Sequence, residues 1–427
     1  MERRHFLAAA PAAIQALGAN DRVNVVVMGL GGRGMDHVRG LAKVPGTRIS
    51  GLCDADQART ERMAQQVLRQ QGSTPKTYRQ LDDILADKEV DAIAMATCNH
   101  WHALATIRAC QAGKDVYLEK PASHNVWEGR KMVEAARKYG RIVQVGHQSR
   151  SLSHIARAVE LVRTGAIGKV YMARGICFRR RESIGRKPDS PTPPGVDYSY
   201  WLGPAPMRPF NPNRFHYNWH WFWDTGNGDI GNQGVHQLDI ARWVLGLDLP
   251  SRVVSSGGKF VWDDDQETPN TLQTVFEYPA CELTFEVRNL PSNNEGVLQR
   301  RGESFIGNIF YGSEGYLEVD NAGTRLYRSG RPEPEQTILP SERGEQDTVR
   351  HIENFVAAMR SRDHRQLRCD VEQGHLSAAL AHLANISYRT RKKLDFDPRS
   401  ERFPGNDEAN ALLRRNYRAP YVISEKV

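Results

Sequence analysis

The chain is predicted to form two α/β domains. The first is a parallel sheet with helices on both faces; the second is an α/β domain built on a large, mostly antiparallel open sheet. Three observations carry this prediction. Short apolar runs alternate with helical stretches from about position 22 to 145. Beyond position 168, strand-like runs follow one another through hairpin turns such as Tyr278-Pro279-Ala280 and Gly312-Ser313-Glu314-Gly315. The 427 residues suffice for two or three domains, and 40% hydrophobic with 25% charged residues is an ordinary globular composition.

In order, strands are expected at 23–28, 47–53, 92–96, 115–118 and 141–145, with helices at 33–41, 55–71, 81–87, 102–113 and 126–139. A helix over 153–164 then leads to a strand over 168–178. A Pro- and aromatic-rich stretch fills 183–223, and a helix opened by glycines covers 226–245. Strands follow at 252–260, 270–278, 280–288, 303–311 and 316–320, and helices over 348–360 and 371–393 end the pattern. The domain boundaries read as 20–148, 149–395 and a tail over 396–427.

The first strand, Val25-Val26-Val27-Met28, runs into Gly29-Leu30-Gly31-Gly32-Arg33-Gly34. This is G-x-G-x-x-G between a strand and a helix, the fingerprint of a Rossmann dinucleotide site. Gly29 allows the tight turn, Gly31 lets a pyrophosphate approach the backbone, and Gly34 lets helix and sheet pack closely. The helix N-terminus offers N–H groups to phosphates. The second strand ends in Asp54, close to the acid expected about 20 residues on for the ribose hydroxyls. An Asp there repels a 2′-phosphate and favours NAD; Arg33 and Arg59 keep NADP open. The remaining crevice candidates are Thr97 and Asn99, which follow the strand over 92–96, and His100 and His102, which read equally as cofactor neighbours or as cap and packing residues. Two histidines without a third ligand give no metal site.

Lys120 stands in Glu119-Lys120-Pro121 at a strand end. In the crevice, beside a positively charged nicotinamide, its ammonium form is disfavoured, and it can exchange a proton with a substrate hydroxyl. Asn232, His236 and Asp239 fall at i, i+4 and i+7, one face of a predicted helix. The aromatic stretch, with Tyr198, Tyr200, Trp201, Phe215, Tyr217, Trp219, Trp221, Phe222 and Trp223, suits a sugar whose C–H faces stack on rings, with His220 and Asp224 as hydroxyl partners.

The net charge of +8 is spread along the chain, with Arg179-Arg180-Arg181 its densest patch, and no nucleic-acid reading motif accompanies it. The six cysteines show no C-x-x-C and fit neither a zinc site nor a disulfide framework. Arg3-Arg4-His5-Phe6-Leu7 followed by small residues to Ala19 resembles a twin-arginine export signal over 1–19, which places the protein in the periplasm or outside the cell, and otherwise in the cytoplasm. No segment approaches a membrane span.

Together, the glycine turn, E-K-P, the Gly-His-Gln-Ser-Arg exit at 146–150 and the G-N-Q-G-V-H-Q-L-D segment at 231–239 resemble the Gfo/Idh/MocA oxidoreductase family. The resemblance implies a Rossmann domain and a C-terminal α/β domain whose open sheet often mediates dimers or tetramers. It implies NAD or NADP chemistry on sugars, sugar acids and cyclitols. By it, Lys120 and His236 are the catalytic pair. Gly29, Leu30, Gly31, Gly32, Arg33, Gly34, Asp54, Thr97, Asn99, His100, His102, Glu119, Lys120 and His147 face the cofactor, and Lys120, Arg150, Trp221, Asn232 and His236 face the substrate. Asn232 stands where many members carry Asp, and an amide cannot accept a proton as a carboxylate can. Hydride transfer to or from a sugar, glycoside or cyclitol is the expected activity. The rivals are an NAD-dependent glycosidase or lyase working through transient C3 oxidation, and a non-catalytic nucleotide-binding sensor. Export implies a tightly held nucleotide, because free cofactor is scarce outside the cytoplasm.

Overall fold

In the computed structural model, residues 22–290, 305–341 and 346–427 are described. The segment over 1–19, read above as an export signal, lies outside them. The valine run forms β1 (Val23–Met28), whose last four residues are buried. It lies between β2 (Thr47–Cys53) and β4 (Ala92–Met95), with Val25 opposite Ile49 and Val27 opposite Ala94. With β3 (Lys76–Tyr78), β5 (Asp115–Leu118) and β6 (Val143–Val145) these strands make a wholly parallel sheet in the order β3-β2-β1-β4-β5-β6. Residues of β4, β5 and β6 are buried throughout, as strands covered on both faces must be. The order reverses between β1 and β4, so a crevice opens at their carboxyl ends.

The covering helices are α1 (Gly32–Lys43), α2 (Gln57–Gln71), α3 (Leu81–Ala86), α4 (Asn99–Gln111) and α5 (Val126–Lys138). The sequence pattern started α4 at position 102; it begins at Asn99, so Asn99, His100, Trp101 and His102 all lie in its first turn and all are buried. Apolar and polar residues alike are covered around most of this helix, which hides the amphipathic signal that marks a surface helix.

After α6 (Ser153–Arg163) and β7 (Val170–Phe178), the chain crosses the aromatic stretch, which includes the short helix α7 (Tyr198–Leu202). The predicted helix over 226–245 divides into a wide turn over Ile230–Gly234, with i→i+5 winding, and α8 (Val235–Leu245). The second sheet adds β8 (Arg252–Gly258), β9 (Thr271–Glu277), β10 (Glu282–Arg288), β11 (Phe305–Gly312), β12 (Gly315–Asp320), β13 (Gly323–Arg328), β14 (Gln336–Ile338) and β15 (Leu394–Asp395). The order β14-β13-β12-β11-β7-β10-β9-β8-β15 is antiparallel except where β7 meets β10. The sequence pattern missed β3 and the outer strands β13, β14 and β15, which are short or strongly polar.

One face of this sheet buries Phe276, Phe285 and Phe310 with Leu238 and Val244 of α8 and Leu380, Leu383 and Ala384 of α10 (Val371–Thr390). The helix before it, α9 (Gln346–Ser361), instead covers the first sheet: Ile352, Phe355 and Val356 share a core with Val25, Val38 and Leu41. The tail also returns to the first domain. Ile423 and Val427 join the core that holds Trp101 and Leu104, and the Tyr417 hydroxyl donates to Glu128 Oε1 at 3.0 Å.

A buried ion pair fixes the junction of the two domains. Arg150 donates to Asp239 of α8 from Nε (2.9 Å) and Nη2 (2.8 Å), and Ser377 of α10 donates at 2.7 Å. Burial alone raises a carboxyl pKa, but the Arg150 charge outweighs it and holds Asp239 well below the usual range. Arg150→Met leaves that carboxylate buried and unpaired. The expected loss is about 3–5 kcal/mol of stability, measured by urea denaturation.

Candidate active site

Backbone geometry builds a nucleotide cradle at the β1 exit. Gly29 has φ +87°, and a Cβ there would lie 2.6 Å from the Ala96 carbonyl. A Cβ on Gly34 would lie 1.9 Å from the Gly29 oxygen. These two glycines serve backbone packing. A Cβ on Gly32 would meet nothing among the described residues, and one on Gly31 would meet only Arg59 Nη1, at 3.3 Å. The space in front of the middle glycines is therefore open. Among the described residues no side chain caps α1, and its first turn holds no acid, so its N–H groups remain for an anion.

Asp54, at the end of β2, accepts from the N–H groups of Leu30 (2.6 Å) and Asp56 (2.9 Å). Burial nonetheless raises its carboxyl pKa. The Thr97 hydroxyl is buried with no partner among the described residues. Gly29, Gly31, Asp54, Arg59 and Thr97 line one pocket, closed from the other side by Trp201 and Trp219 of the aromatic stretch. This cradle fits a dinucleotide: uncapped helix N–H groups for its pyrophosphate, a carboxylate for a ribose, and a polar orphan at the β4 exit.

Arg33 does not face that pocket. Its Nε donates to Glu119 Oε1 at 2.7 Å, so the expectation that it could hold a 2′-phosphate is corrected; Arg59 remains beside the cradle. Glu119 also meets His37 Nε2 at 3.0 Å and accepts from Gln148 Nε2 at 2.9 Å. Burial works against its charge, yet Arg33 and His37 hold its pKa well below the usual carboxylate range. It acts as an ionised anchor rather than a proton carrier.

The neighbouring Lys120 turns the other way. Nζ donates to the Asn232 carbonyl at 2.8 Å, across the domain boundary. Burial lowers its pKa to about 8; Arg33 and Arg181 also push it down, while Glu119 and Asp229 hold it up. The Asn232 carbonyl belongs to the wide turn over Ile230–Gly234, a kind of winding frequent at functional sites. His236 stands one helical turn further on, half-buried, its Nδ1 without a partner among the described residues. Burial and the Lys120 charge keep its ring neutral, well below the ordinary imidazole range. His147 packs edge-on against His236, with ring centroids 5.7 Å apart, and burial lowers it to about 4. The amine thus reaches the turn that leads into the helix of His236, close enough for its charge to act on that ring.

A buried carboxylate, Asp229, stands beside the Asn232 side chain. Asp229 accepts from Asn289 Nδ2 (2.6 Å), Arg181 Nη2 (2.8 Å) and the Asn232 side chain (3.2 Å). Sequence reasoning missed both Asp229 and Arg181. The acid was visible between Gly228 and Ile230, but Arg181 read as part of a surface basic patch.

Other expected residues are placed elsewhere. Both ring nitrogens of His100 face carbonyls, of Thr225 (3.3 Å) and Trp201 (3.0 Å). His102 meets those of Pro121 (2.7 Å) and Thr97 (3.1 Å). Both rings are buried braces and give no free edge to a cofactor. Asn99 donates to Asn227 Oδ1 at 2.8 Å, tying the two domains. Arg150, expected at the substrate, is spent on Asp239 and is buried. Trp221 is buried, with the Arg181 guanidinium 5.3 Å over its ring. The Trp201 and Trp219 rings, expected to stack on a sugar, line the nucleotide cradle instead.

Family models match both domains. One, described as "Oxidoreductase family, NAD-binding Rossmann fold", matches residues 23–147; the other, "Oxidoreductase family, C-terminal alpha/beta domain", matches residues 178–269 and 324–423. The chain belongs to the Gfo/Idh/MocA oxidoreductase family. Its N-terminal domain is the family's NAD-binding fold. Among curated relatives, inositol 2-dehydrogenase of Salmonella typhimurium is 28% identical over 186 residues, which is 41% of this chain and about half (53%) of that protein. Among solved structures, the fold is similar to the WlbA dehydrogenase from Bordetella pertussis in complex with NADH and UDP-GlcNAcA, with a TM-score of 0.65 and 18% identity over 88% of this chain and 98% of that one. It is also similar to aldose-aldose oxidoreductase from Caulobacter crescentus, with a TM-score of 0.66 and 18% identity over 88% and 100% of the two chains.

The glycines divide by role, and this can be measured. Gly34→Ala forces a backbone clash and is expected to cost about 1–3 kcal/mol and to weaken nucleotide binding. Gly32→Ala should leave thermal stability near wild type. Thermal unfolding with a nucleotide titration compares the two.

Proposed function

We propose that this protein is an NAD(P)-dependent oxidoreductase that transfers hydride at a hydroxyl- or carbonyl-bearing carbon of a sugar, glycoside or cyclitol. The observation that carries the proposal is the reach of the Lys120 amine across the domain boundary to the Asn232 carbonyl, in the turn that leads into the helix of His236. A bound nicotinamide would supply the hydride acceptor or donor. The relatives named above, which act on inositol or bear sugar-linked names, support the substrate class.

In this reading Lys120 is the proton carrier. Its contact with the Asn232 carbonyl uses one N–H and leaves the amine free to take a hydroxyl proton. His236, held neutral and half-buried, presents its ring to orient that hydroxyl. Asp229 and Arg181 form a paired wall that keeps the field around the amine balanced. Oxidation needs neutral Lys120, so its rate rises as pH passes through about 8 and then levels. Reduction needs the ammonium and falls over the same range. A positive nicotinamide moves the first transition lower.

The signal-like sequence over 1–19 supports export by the twin-arginine route, and with it a nucleotide retained through turnover. The outer face of the nine-stranded sheet supports self-association: Tyr171 is exposed, and Phe305, Tyr311 and Tyr316 are half-buried around Ile176 and Ile309. Light scattering on purified protein reads the oligomeric state, and fractionation of cells carrying a tagged chain, with and without Arg3→Lys/Arg4→Lys, reads export.

Lys120→Met is expected to lower kcat by about 10²–10⁴-fold and to leave nucleotide affinity within a few fold, which distinguishes a catalytic amine from a structural one. Retained turnover in this variant would remove the assignment. Mass spectrometry of denatured protein should release NAD, and a pyranoside and cyclitol panel should yield NADH in step with product. Free sugar without NADH would point instead to redox-neutral cleavage.

A further inference from the structure

A second cavity, of about 280 Å³, lies apart from Lys120, His236 and the glycine cradle, none of which lines it. Its walls come from four parts of the chain: His124 and Asn125 beyond the E-K-P turn, Trp223 at the end of the aromatic stretch, Asn385 and Arg389 of α10, and Arg415 of the tail. Asn125 and Asn385 are 6% and 5% exposed. Asn385 Oδ1 and Arg415 Nε have no hydrogen-bond partner among the described residues, whereas the Asn125 side chain is engaged with Glu128 and Tyr417, and the His124 ring with the Trp223 backbone. Each buried polar group left unpaired costs about 1–3 kcal/mol. The two that remain lie in a wall that also carries the Arg389 and Arg415 guanidiniums, which suits a polar occupant.

Charge selects the class of occupant. Of the cavity's ionisable groups, Asp224 is paired with Arg208, and Arg414 with Glu425. Arg389 has no carboxylate within ion-pair distance among the described residues, and its guanidinium lies 5.1 Å over the Trp223 ring. Arg415 Nη1 contacts His124 Nδ1 at 3.2 Å. Glu128, behind the wall, is engaged by the His124 N–H (3.1 Å) and the Tyr417 hydroxyl (3.0 Å), and forms no ion pair with Arg415. Burial keeps His124 and His382 neutral. Neither guanidinium thus forms an ion pair among the described residues, although Glu128 acts on the Arg415 charge, and Asp224 and Glu267 on that of Arg389, from further away.

We infer that this cavity is a second ligand site, specific for a small oxyanion: a carboxylate or phosphate group held between Arg389 and Arg415. Forked guanidinium donors match both planar and tetrahedral oxyanions. The back wall includes Asn227, whose side chain donates to the His124 carbonyl at 3.0 Å and accepts from Asn99 at 2.8 Å. A bound anion would thus sit one amide away from the first turn of α4.

Isothermal titration of the full chain with inorganic phosphate, with glucuronate and with glucose tests the site. Saturable binding of one or both oxyanions at one site per chain, with no heat from glucose, is expected. Phosphate alone identifies a phosphate site, and glucuronate alone a carboxylate site. Arg389→Gln, at an exposed position of α10, should weaken binding at least about tenfold, and Arg415→Gln should do the same. Lys120→Met should leave it unchanged, which separates this site from the proposed substrate cleft. No saturable oxyanion binding, or equal affinity in wild type and Arg389→Gln, overturns the inference and leaves a cavity filled by water alone.

Discussion

One buried charge organises the crevice. Glu119, at the carboxyl end of β5, is 4% exposed. An isolated carboxylate cannot remain ionised there, because burial disfavours the charge strongly. It is held by Arg33 and His37 of α1 and by Gln148 beyond β6. Those partners come from the glycine-turn helix and from the exit of the last strand. Satisfying Glu119 therefore fixes the spacing of the whole strand-end crevice. With the carboxylate turned inward, the next residue, Lys120, is turned toward the second domain.

That placement explains the tuning of the amine. Lys120 sits among two cations, Arg33 and Arg181, and two anions, Glu119 and Asp229. The four charges roughly offset, and burial supplies the downward shift to about 8. A proton carrier works best with a pKa near the working pH. The imidazoles of His236 and His147, both held neutral, pack beside it without adding charge.

The aromatic stretch joins the domains at the other end of the cradle. Val196 bridges to Asp56, Gln57 N donates to the Gly195 carbonyl at 3.0 Å, and His216 meets Asp56 Oδ2 at 3.0 Å. Leu81 N donates to the Tyr200 hydroxyl at 2.8 Å. Rings that the sequence suggested for a sugar thus pack over the side of the cradle that holds Asp54 and Arg59, within a small core of their own around Tyr198, Trp201 and Phe210. Composition showed that the stretch was aromatic; it carried no information about which domain those rings would face.

The order of strands and helices, the glycine turn, Asp54 at its strand end, and the E-K-P lysine were legible in the chain because each depends on local rules. Backbone sterics demand glycine at a tight turn, and burial on both faces demands a continuous apolar strand. Asp229, the Glu119 anchor and the inward turn of Arg150, His100 and His102 were not legible. Each is set by contacts between residues tens to hundreds of positions apart, such as Arg33 with Glu119 or Lys120 with Asn232. A polar side chain reads the same in sequence whether it faces a ligand or a buried partner. Only the packing of the two domains, which decides where a desolvated charge finds its counter-charge, separates the two.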